Sequence, residues 1–322
     1  MRGLLLLSFI AAASGQRAIH WVIRVSDLET TLNFTSNVLG MKVLRHEEND
    51  KACELTCNGD FNNAWSKTMV GYGPEDKHYA LELTYNYGVE SYEPGNGLDR
   101  FVVRLPEGKN PKAMIADAKG LGYSVNGAIV TGPDGYRFEL LKSSWIGHIE
   151  SIVLRAAHPN ILASWYAEMV GMKLLDNDGD VHTIGFAGQS PGVDAVTFRI
   201  ETGAKHPEPG FGGGVKWSHR ITPWEGRNAL ALPASKIRII NAQIKATAPH
   251  QIIHELRELK EKLGTLLILI LRDAGGFELC LVSEETFDPS VKAATDFKGP
   301  DWNFRSDSLA AITGGASARD EL

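Results

Sequence analysis

The chain has 322 residues, of which 43% are hydrophobic and 22% are charged. This composition is typical of a globular protein with a substantial core, and the length is sufficient for two domains. The net charge is −6 at pH 7 and the sequence contains no long Lys/Arg run. We therefore expect neither nucleic acid nor an anionic membrane surface as a partner.

The first 15 residues have the layout of a secretory signal peptide. Arg2 precedes an apolar run over residues 4–13, and small residues at 13–15 offer a cleavage site before Gln16. The run is too short to cross a bilayer, so we expect no membrane span. A buried N-terminal strand and a mitochondrial presequence are the alternatives for this stretch.

The next segments predict a strand, a helix and further strands. Residues 18–25 alternate, with His20 and Arg24 on one face and Trp21 and Ile23, together with Ile19, on the other. Residues 28–40 form an amphipathic pattern that ends at a glycine, which predicts a helix. Strands are expected from residue 42 and in the stretch that ends at Tyr87. In that last stretch Glu82 and Asn86 share the polar face.

The same pattern returns three times, which predicts four units of strand, helix and strands. A strand at 101–105, a helix at 111–122 and a turn at 133–135 make the second unit, and a helix at 158–171 belongs to the third. The stretch 38–44 resembles 169–175, and 135–141 resembles 275–281. We therefore predict two duplicated domains over 17–143 and 147–284, with a long Gly/Pro-rich loop over 201–227. Residues 252–264 have a helical pattern, whereas their place in the repeat requires a strand, and both alternatives stand.

The cysteines and the tail bear on the compartment. Cys53 and Cys57 are close enough to pair in an oxidising lumen, which leaves Cys280 unmatched; three buried free thiols are the alternative. Asn33 begins a glycosylation sequon whose use the sequence does not decide. Residues 285–322 are polar, expected to be loosely held, and end in Arg-Asp-Glu-Leu, similar to an endoplasmic reticulum retrieval signal. We expect the lumen of the endoplasmic reticulum, with the mitochondrion and the cytoplasm as alternatives.

Three stretches carry a resemblance to a known family. IHWVIRV with His20, ELTYNYG with Glu82 and the stretch GYRFELL are similar to the signature strands of glyoxalase I in the vicinal oxygen chelate superfamily. The resemblance covers about residues 17–300 and is stronger in the first half. It implies an α+β fold of four βαβββ modules in two vicinal oxygen chelate domains, which form open, cup-shaped sheets. The polar faces of the strands would line the cups, and the modules would pair within each half or first with fourth and second with third.

The resemblance also implies a metal site. In the family the ligands are His or Gln, Glu, His and Glu, an N/O set that suits Zn, Ni, Co or Mn. Carried over by position, the metal ligands would be His20, Glu82 and Glu139. The third position falls at Arg100, which has no lone pair to donate. The corresponding positions in the second half are Glu150 or Ser151, Arg199, a position near Arg227, and Glu278.

The family resemblance assigns further roles. The candidates for catalytic proton transfer are Glu82, Glu139 and Glu278. The last two have a second interpretation as partners of arginines. The candidates for substrate binding are Arg24, Asn86 and Arg100, of which the first two match family residues that hold the carboxylate of glutathione.

The resemblance therefore predicts a glyoxalase-like protein that binds a small anionic metabolite with the help of a divalent metal. A weak lactoylglutathione lyase or isomerase activity would follow from the metal site. The alternative is a catalytically inactive member of the fold that binds other proteins as a scaffold. The arginines at the third positions favour the alternative, and the intact pair of His20 and Glu82 favours the enzyme.

Overall fold

A computed structural model of the chain describes residues 15–188, 193–203 and 226–295. Residues 1–14 of the predicted signal peptide, most of the loop predicted over 201–227 and the terminal Arg-Asp-Glu-Leu motif lie outside the described residues. The described chain folds into four units, and each consists of one strand, one helix and three strands. No helix within the described residues is both long and apolar enough to cross a membrane.

The secondary structure follows the repeat. Unit 1 contains β1 (Arg17–Val25), α1 (Leu28–Phe34), β2 (Lys42–Asn49), β3 (Trp65–Gly71) and β4 (Ala80–Asn86). Unit 2 contains β5 (Leu98–Leu105), α2 (Pro111–Gly120), β6 (Ser124–Asn126), β7 (Ile129–Thr131) and β8 (Arg137–Lys142). Unit 3 contains β9 (His148–Ala156), α3 (Pro159–Trp165), β10 (Lys173–Asn177), β11 (Val181–Gly185) and β12 (Thr197–Thr202). Unit 4 contains β13 (Arg227–Leu232), α4 (Ala234–Thr247), β14 (Ile252–Glu261), β15 (Gly264–Arg272) and β16 (Glu278–Ser283), and α5 (Glu284–Thr295) follows it.

The units pair across the two halves of the sequence. Sheet 1 has the strand order β14-β15-β16-β13-β1-β4-β3-β2 and is therefore built from units 1 and 4. Sheet 2 has the order β10-β11-β12-β9-β5-β8-β7-β6 and is built from units 2 and 3. Antiparallel pairs β1–β13 and β5–β9 join the units. The α+β class with open sheets of paired βαβββ modules is confirmed, and the open question of pairing is decided as first with fourth.

The predicted helices form where the sequence indicated them. The side chain of Asp27 accepts a hydrogen bond from the Thr30 amide at 3.0 Å, which caps the N-terminus of α1. A π-turn over 35–39 continues α1 to Gly40, whose φ of +74° closes the helix in the left-handed region. A π-turn over 166–170 similarly continues α3 to Gly171.

One face of each sheet belongs to a common hydrophobic core. The ring of Trp21 on β1 meets Phe101 on β5 edge-on at 6.3 Å between centroids, and it meets Phe277 similarly at 6.4 Å. The buried isoleucines of α4 belong to the same core cluster. The opposite face of each sheet carries the polar side chains predicted to line a cup, and α5 lies on that face of sheet 1, against β13, β15 and β16.

Three expectations are corrected or decided. The register of β1 shifts between Ala18 and His20, so Ile19 packs on the same side as His20 and not with Trp21 as strict alternation predicted. Residues 252–261 form a strand, because pairing with the strongly apolar β15 overrides the helical pattern. Residues 284–295 form α5, so the first part of the tail is not loosely held.

Candidate functional site

The four inner strands of sheet 1 bring one residue each to a common region, which we call the first cup. Its members are His20 on β1, Glu82 on β4, Arg227 on β13 and Glu278 on β16. The strand register places Val22 opposite both Glu82 and Arg227, and it places Arg227 opposite Glu278. His20 lies two residues before Val22 on β1 and therefore on the same face. All four side chains therefore lie on one face.

His20 is a neutral imidazole in this site. Its Nε2 lies 3.5 Å from Glu82 Oε2, and its Nδ1 is buried with no hydrogen-bond partner among the described residues. Burial, with smaller contributions from the charges of Arg45, Lys67 and Arg227, lowers the pKa of His20 to about 3, although Glu75 acts in the opposite direction. One of the two ring nitrogens therefore keeps a free lone pair at neutral pH.

Arg227 occupies the position of the third family ligand in the first cup. Its Nε donates to Glu278 Oε1 at 2.5 Å, and its Nη2 makes a further close contact with the same oxygen. Nη2 also donates to the carbonyls of Leu55 and Thr56 at 2.9 and 3.0 Å. Gly226 makes this position possible, because a Cβ there would lie 1.7 Å from the Val22 carbonyl oxygen. The negative charge of Glu278, at the fourth ligand position, is thus neutralised by Arg227 at the third.

The connection from β2 to β3 covers the cup, and we call residues 50–64 the cover loop. A disulfide joins Cys53 and Cys57, which decides between the two predicted thiol states, and Cys280 is free. Besides Arg227, the loop contacts both predicted substrate-binding residues of the cup. The Asn58 carbonyl accepts from Asn86 Nδ2 at 3.1 Å and faces Arg24 Nε at 3.5 Å, and the Asn58 side chain donates to Asn86 Oδ1 at 3.0 Å. Arg24 and Asn86 therefore share the first cup, as predicted, beneath the cover loop.

Sequence reasoning missed a buried acid of the site and the two arginines that contact it. Glu75 is fully buried, and Arg45 Nε donates to its Oε2 at 2.6 Å. Arg17 Nη2 donates to the Glu75 backbone carbonyl at 3.2 Å. Glu75 lies in the stretch WSKTMVGYGPED, but an acid in a loop has no periodicity that would place it in a cup.

Glu139 and Arg100 lie elsewhere, and this corrects the predicted metal site. Both belong to sheet 2, on β8 and β5, in the region that we call the second cup. Glu139 therefore cannot share a metal with His20 and Glu82, because units 1 and 2 do not pair. Of the three predicted proton-transfer residues, Glu82 and Glu278 share the first cup and Glu139 does not.

The second cup is an ion-pair network around Arg100. Its Nε donates to Glu139 Oε2 at 2.9 Å, its Nη2 donates to Glu201 Oε1 at 3.3 Å, and its Nη1 contacts Asp99. These carboxylates hold the pKa of Arg100 above its usual value, although burial opposes them. A guanidinium thus lies between carboxylates at the centre of this cup.

The remaining polar residues of the second cup extend the network. Asp99 Oδ1 lies 2.6 Å from Arg137 Nη1 and 2.5 Å from Arg155 Nη2. In the first cup, His20 pairs with Ala80, which precedes Glu82 by two residues. In the second cup, Ser151 pairs with Thr197, which precedes Arg199 by two residues. The counterpart of His20 is therefore Ser151 and not Glu150, and the counterpart of Glu82 is Arg199.

Neither cup has the donor set of a glyoxalase metal centre. The first cup provides His20 and Glu82 as possible ligands, while Arg227 occupies the third ligand position and binds Glu278 at the fourth. Within residues 15–188, 193–203 and 226–295, no group of three or more His, Cys, Asp or Glu side chains is arranged to hold a metal ion. The residues present fit neither the four-ligand set of the family nor the predicted three-ligand site of His20, Glu82 and Glu139.

Comparison with known proteins identifies relatives over most of the chain. A family model described as the Glyoxalase/Bleomycin resistance protein/Dioxygenase superfamily matches residues 17–140. Glyoxalase 1 of Caenorhabditis briggsae is 32% identical over 274 residues, which cover 84% of this chain and 89% of that protein. Glyoxalase domain-containing protein 4 of Mus musculus is 30% identical over 280 residues, with 84% and 87% covered. The crystal structure of glyoxalase I from Zea mays has a TM-score of 0.62 at 20% identity, covers 87% of this chain and 96% of its own, and shares the fold.

Proposed function

The chain belongs to the Glyoxalase/Bleomycin resistance protein/Dioxygenase superfamily, and from this premise we propose that it binds a small anionic metabolite in the first cup without metal-dependent isomerisation. The observation that carries the proposal is Arg227 at the third ligand position, bound to Glu278 at the fourth. A guanidinium supplies no lone pair and repels a divalent cation. The pair therefore replaces half of the family's ligand set with an internal ion pair.

The anionic class of the ligand is supported by Arg24 and Asn86. Arg24 is only 2% exposed, so its charge lies in a poorly hydrated environment. Arginine presents a planar fork of donors that matches a carboxylate, and the Asn86 amide is a further donor beside it. A ligand carboxylate would accept hydrogen bonds from these two side chains, which face the Asn58 carbonyl in the structure.

The rival function is a weak metal-dependent lactoylglutathione lyase or isomerase. It is favoured by the neutral imidazole of His20, whose Nε2 faces Glu82 and whose Nδ1 has no hydrogen-bond partner among the described residues. In that case the two residues would be the metal ligands from the protein, and Glu82 or Glu278 would be the candidate for proton transfer. Such a metal would be Zn, Ni, Co or Mn.

The deciding experiment is the metal content of the purified mature chain. The protein is incubated with Zn, Ni, Co and Mn salts, dialysed exhaustively and analysed by elemental mass spectrometry, and isomerisation of the methylglyoxal–glutathione hemithioacetal is assayed in parallel. We expect no stoichiometric metal and no turnover. His20→Ala and Glu82→Ala test the first cup, and Glu139→Ala is the matched control in the second cup. Stoichiometric metal that is lost in the first two variants and kept in the third would overturn the proposal in favour of the lyase.

We further propose that the protein resides in the lumen of the endoplasmic reticulum. The pattern of residues 1–15 and the Arg319–Leu322 motif motivate this proposal, and the Cys53–Cys57 disulfide supports it, because disulfides persist in oxidising compartments. An internally tagged chain that was found in the cytoplasm or the mitochondrion would contradict it.

A scaffold role with protein partners is a second proposal. It is supported by Trp145 and Ile146, which are 78% and 62% exposed in the connection between β8 and β9. Large exposed apolar side chains that lie together are typical of interaction surfaces. Binding of a protein partner that is unchanged by Trp145→Ser with Ile146→Ser would exclude this surface.

A further inference from the structure

Helix α5 lies directly on the first cup. Its side chains Phe287 and Val291 are 8% and 5% exposed and form one apolar cluster with strand residues of sheet 1. The strand residues of this cluster are Ile19, Ala229, Ala231 and Val282, with Leu266, Ile268 and Cys280 packed beside them. The ring of Phe287 lies 6.5 Å from the ring of His20 between centroids. The helix therefore covers the side of the cup where His20 lies.

Polar contacts hold α5 in place on two neighbouring elements. Arg17 at the start of β1 donates to both carboxylate oxygens of Asp288, at 3.0 and 2.6 Å, and its guanidinium lies 5.9 Å from the Phe287 ring centroid. Thr286 Oγ1 donates to the Thr265 carbonyl at 2.9 Å. These contacts fix both the position and the rotation of the helix over the cup.

The attachment of α5 is nevertheless local. Its apolar contacts form a cluster that is separate from the main core of the protein. Pro289 lies inside the helix and removes one of its backbone hydrogen bonds. Segments with few buried apolar contacts open at lower free energy than the whole domain unfolds. The helix can therefore leave the sheet without disruption of the core.

The cover loop is attached to the floor of the first cup. It is closed by the Cys53–Cys57 disulfide and bound to the buried guanidinium of Arg227 through two carbonyls. The cover loop shields Arg24 and Arg227, and α5 shields His20. A ligand that enters the first cup past α5 leaves the hydrogen bonds between the cover loop and Arg227 intact.

We propose that α5 is an autoinhibitory plug, a segment of the chain itself that closes the first cup and opens it when it is displaced. The inference rests on the proposed function, because it takes the first cup as the ligand site. It adds regulation to that site: binding is limited by release of α5, and the Arg17–Asp288 ion pair with Phe287 is the contact that sets the fraction of open molecules.

Cys280 provides a direct measurement of plug opening. It is the free thiol of the described residues and lies partly buried on β16 beside the α5 cluster, where desolvation raises its pKa to about 11. Iodoacetamide should therefore alkylate Cys280 slowly in the native full-length chain. In the variant Phe287→Ser with Val291→Ser the rate should rise by at least about tenfold, because the thiol becomes exposed to solvent. Mass spectrometry of the alkylated peptide gives the rate.

Three controls separate plug opening from general unfolding. Ile239→Ser removes an apolar side chain of similar size from the exposed face of α4 and should leave the rate unchanged. Phe287→Leu keeps an apolar contact and should restore slow alkylation. Cys280→Ser should abolish labelling of the peptide. An unchanged rate in the double variant, or fast alkylation of the native chain, would overturn the plug.

Titration with Ni²⁺ by calorimetry separates failure of the plug from failure of the proposed function. Fast alkylation of the double variant without Ni²⁺ binding would support both the plug and a metal-free cup. Fast alkylation with Ni²⁺ binding that His20→Ala removes would support the plug and overturn the metal-free function. Slow alkylation in every variant would overturn the plug and leave the proposed function standing.

Discussion

The two cups share one ion pair between an arginine and a glutamate, and they differ in the residues around that pair. In both, an arginine occupies the third ligand position and binds the glutamate at the fourth, as Arg227 binds Glu278 and Arg100 binds Glu139. The first cup keeps His20 and Glu82, whereas Ser151 and Arg199 stand at the same positions in the second. In both cups an arginine stands where the family has its third metal ligand. The fold is kept because the guanidinium pairs with the carboxylate of the glutamate at the fourth position.

The surroundings of the two arginines decide how each site is used. Arg227 is shielded by the cover loop and has a side chain only 6% exposed, and α5 covers the neighbouring His20. The network around Arg100 includes Arg137 and Arg155, whose side chains are 33% and 41% exposed. Exposed ion pairs contribute little to stability, whereas a buried charge without its partner is costly. The first cup is therefore covered on both sides, whereas the second has a buried centre and an edge that opens to solvent at Arg137 and Arg155.

The largest effect is expected from removal of the two central arginines. Arg227→Met leaves Glu278 and the Leu55 and Thr56 carbonyls without their donor, and we expect a loss of about 3–5 kcal/mol in the free energy of unfolding. Arg100→Met should cost about 1–3 kcal/mol, because Glu139 and Glu201 are partly hydrated and Asp99 keeps two arginine partners. Urea unfolding measures both.

The double variant Arg227→Met with Glu278→Gln is the control for the first cup. It removes both charges, so most of the lost stability should return. Equal losses for Arg227→Met and Arg100→Met would break the distinction between a closed and an open cup.

Removal of the Cys53–Cys57 disulfide should affect the first cup alone. The disulfide closes a short loop, with a sequence separation of 4. Loop entropy for about five residues gives a loss of about 2 kcal/mol for Cys53→Ser with Cys57→Ser. Hydrogen exchange should accelerate in residues 50–64 and remain unchanged in sheet 2. Cys280→Ser is the matched control, and acceleration in sheet 2 would contradict the local role of the cover loop.

A smaller effect is expected from pH, through His20. Burial lowers the pKa of His20 to about 3 from 6.5, so the unfolded chain binds a proton between these values and the folded chain does not. The contribution to stability is complete above pH 6.5 and is lost as the pH falls toward 3. Between pH 7 and 5.5 the loss should be about 1 kcal/mol, measured by urea unfolding at each pH.

His20→Gln isolates this effect from that of another buried group. Burial raises the pKa of Asp273 to about 7 from 3.8, so its contribution changes with pH in the opposite direction and is lost as the pH rises. The difference between the native chain and the variant cancels Asp273. A difference that does not depend on pH would mean that the pKa of His20 is the same in the folded and the unfolded chain.

Much of the fold was predictable because it depends on local patterns. The helix that ends at Gly40 and the helix that ends at Gly171 follow from periodicity and from glycine at the stop. His20, Arg24, Glu82 and Asn86 share a face because side chains alternate along a strand. The position of Ile19 was wrong because a bulge interrupts the alternation, and local sequence carries no signal for that bulge.

The sequence by itself determined the four units, the family and the polar faces of the strands, since each depends on residues that are neighbours along the chain. Only the tertiary structure decided that units 1 and 4 share a sheet, which brings Arg227 and Glu278 to His20 and separates Glu139 from it. It also decided that α5 lies on the first cup, because the apolar side chains of Phe287 and Val291 are buried only by strands that are distant in sequence. Both outcomes depend on packing between segments far apart along the chain, where periodicity carries no information.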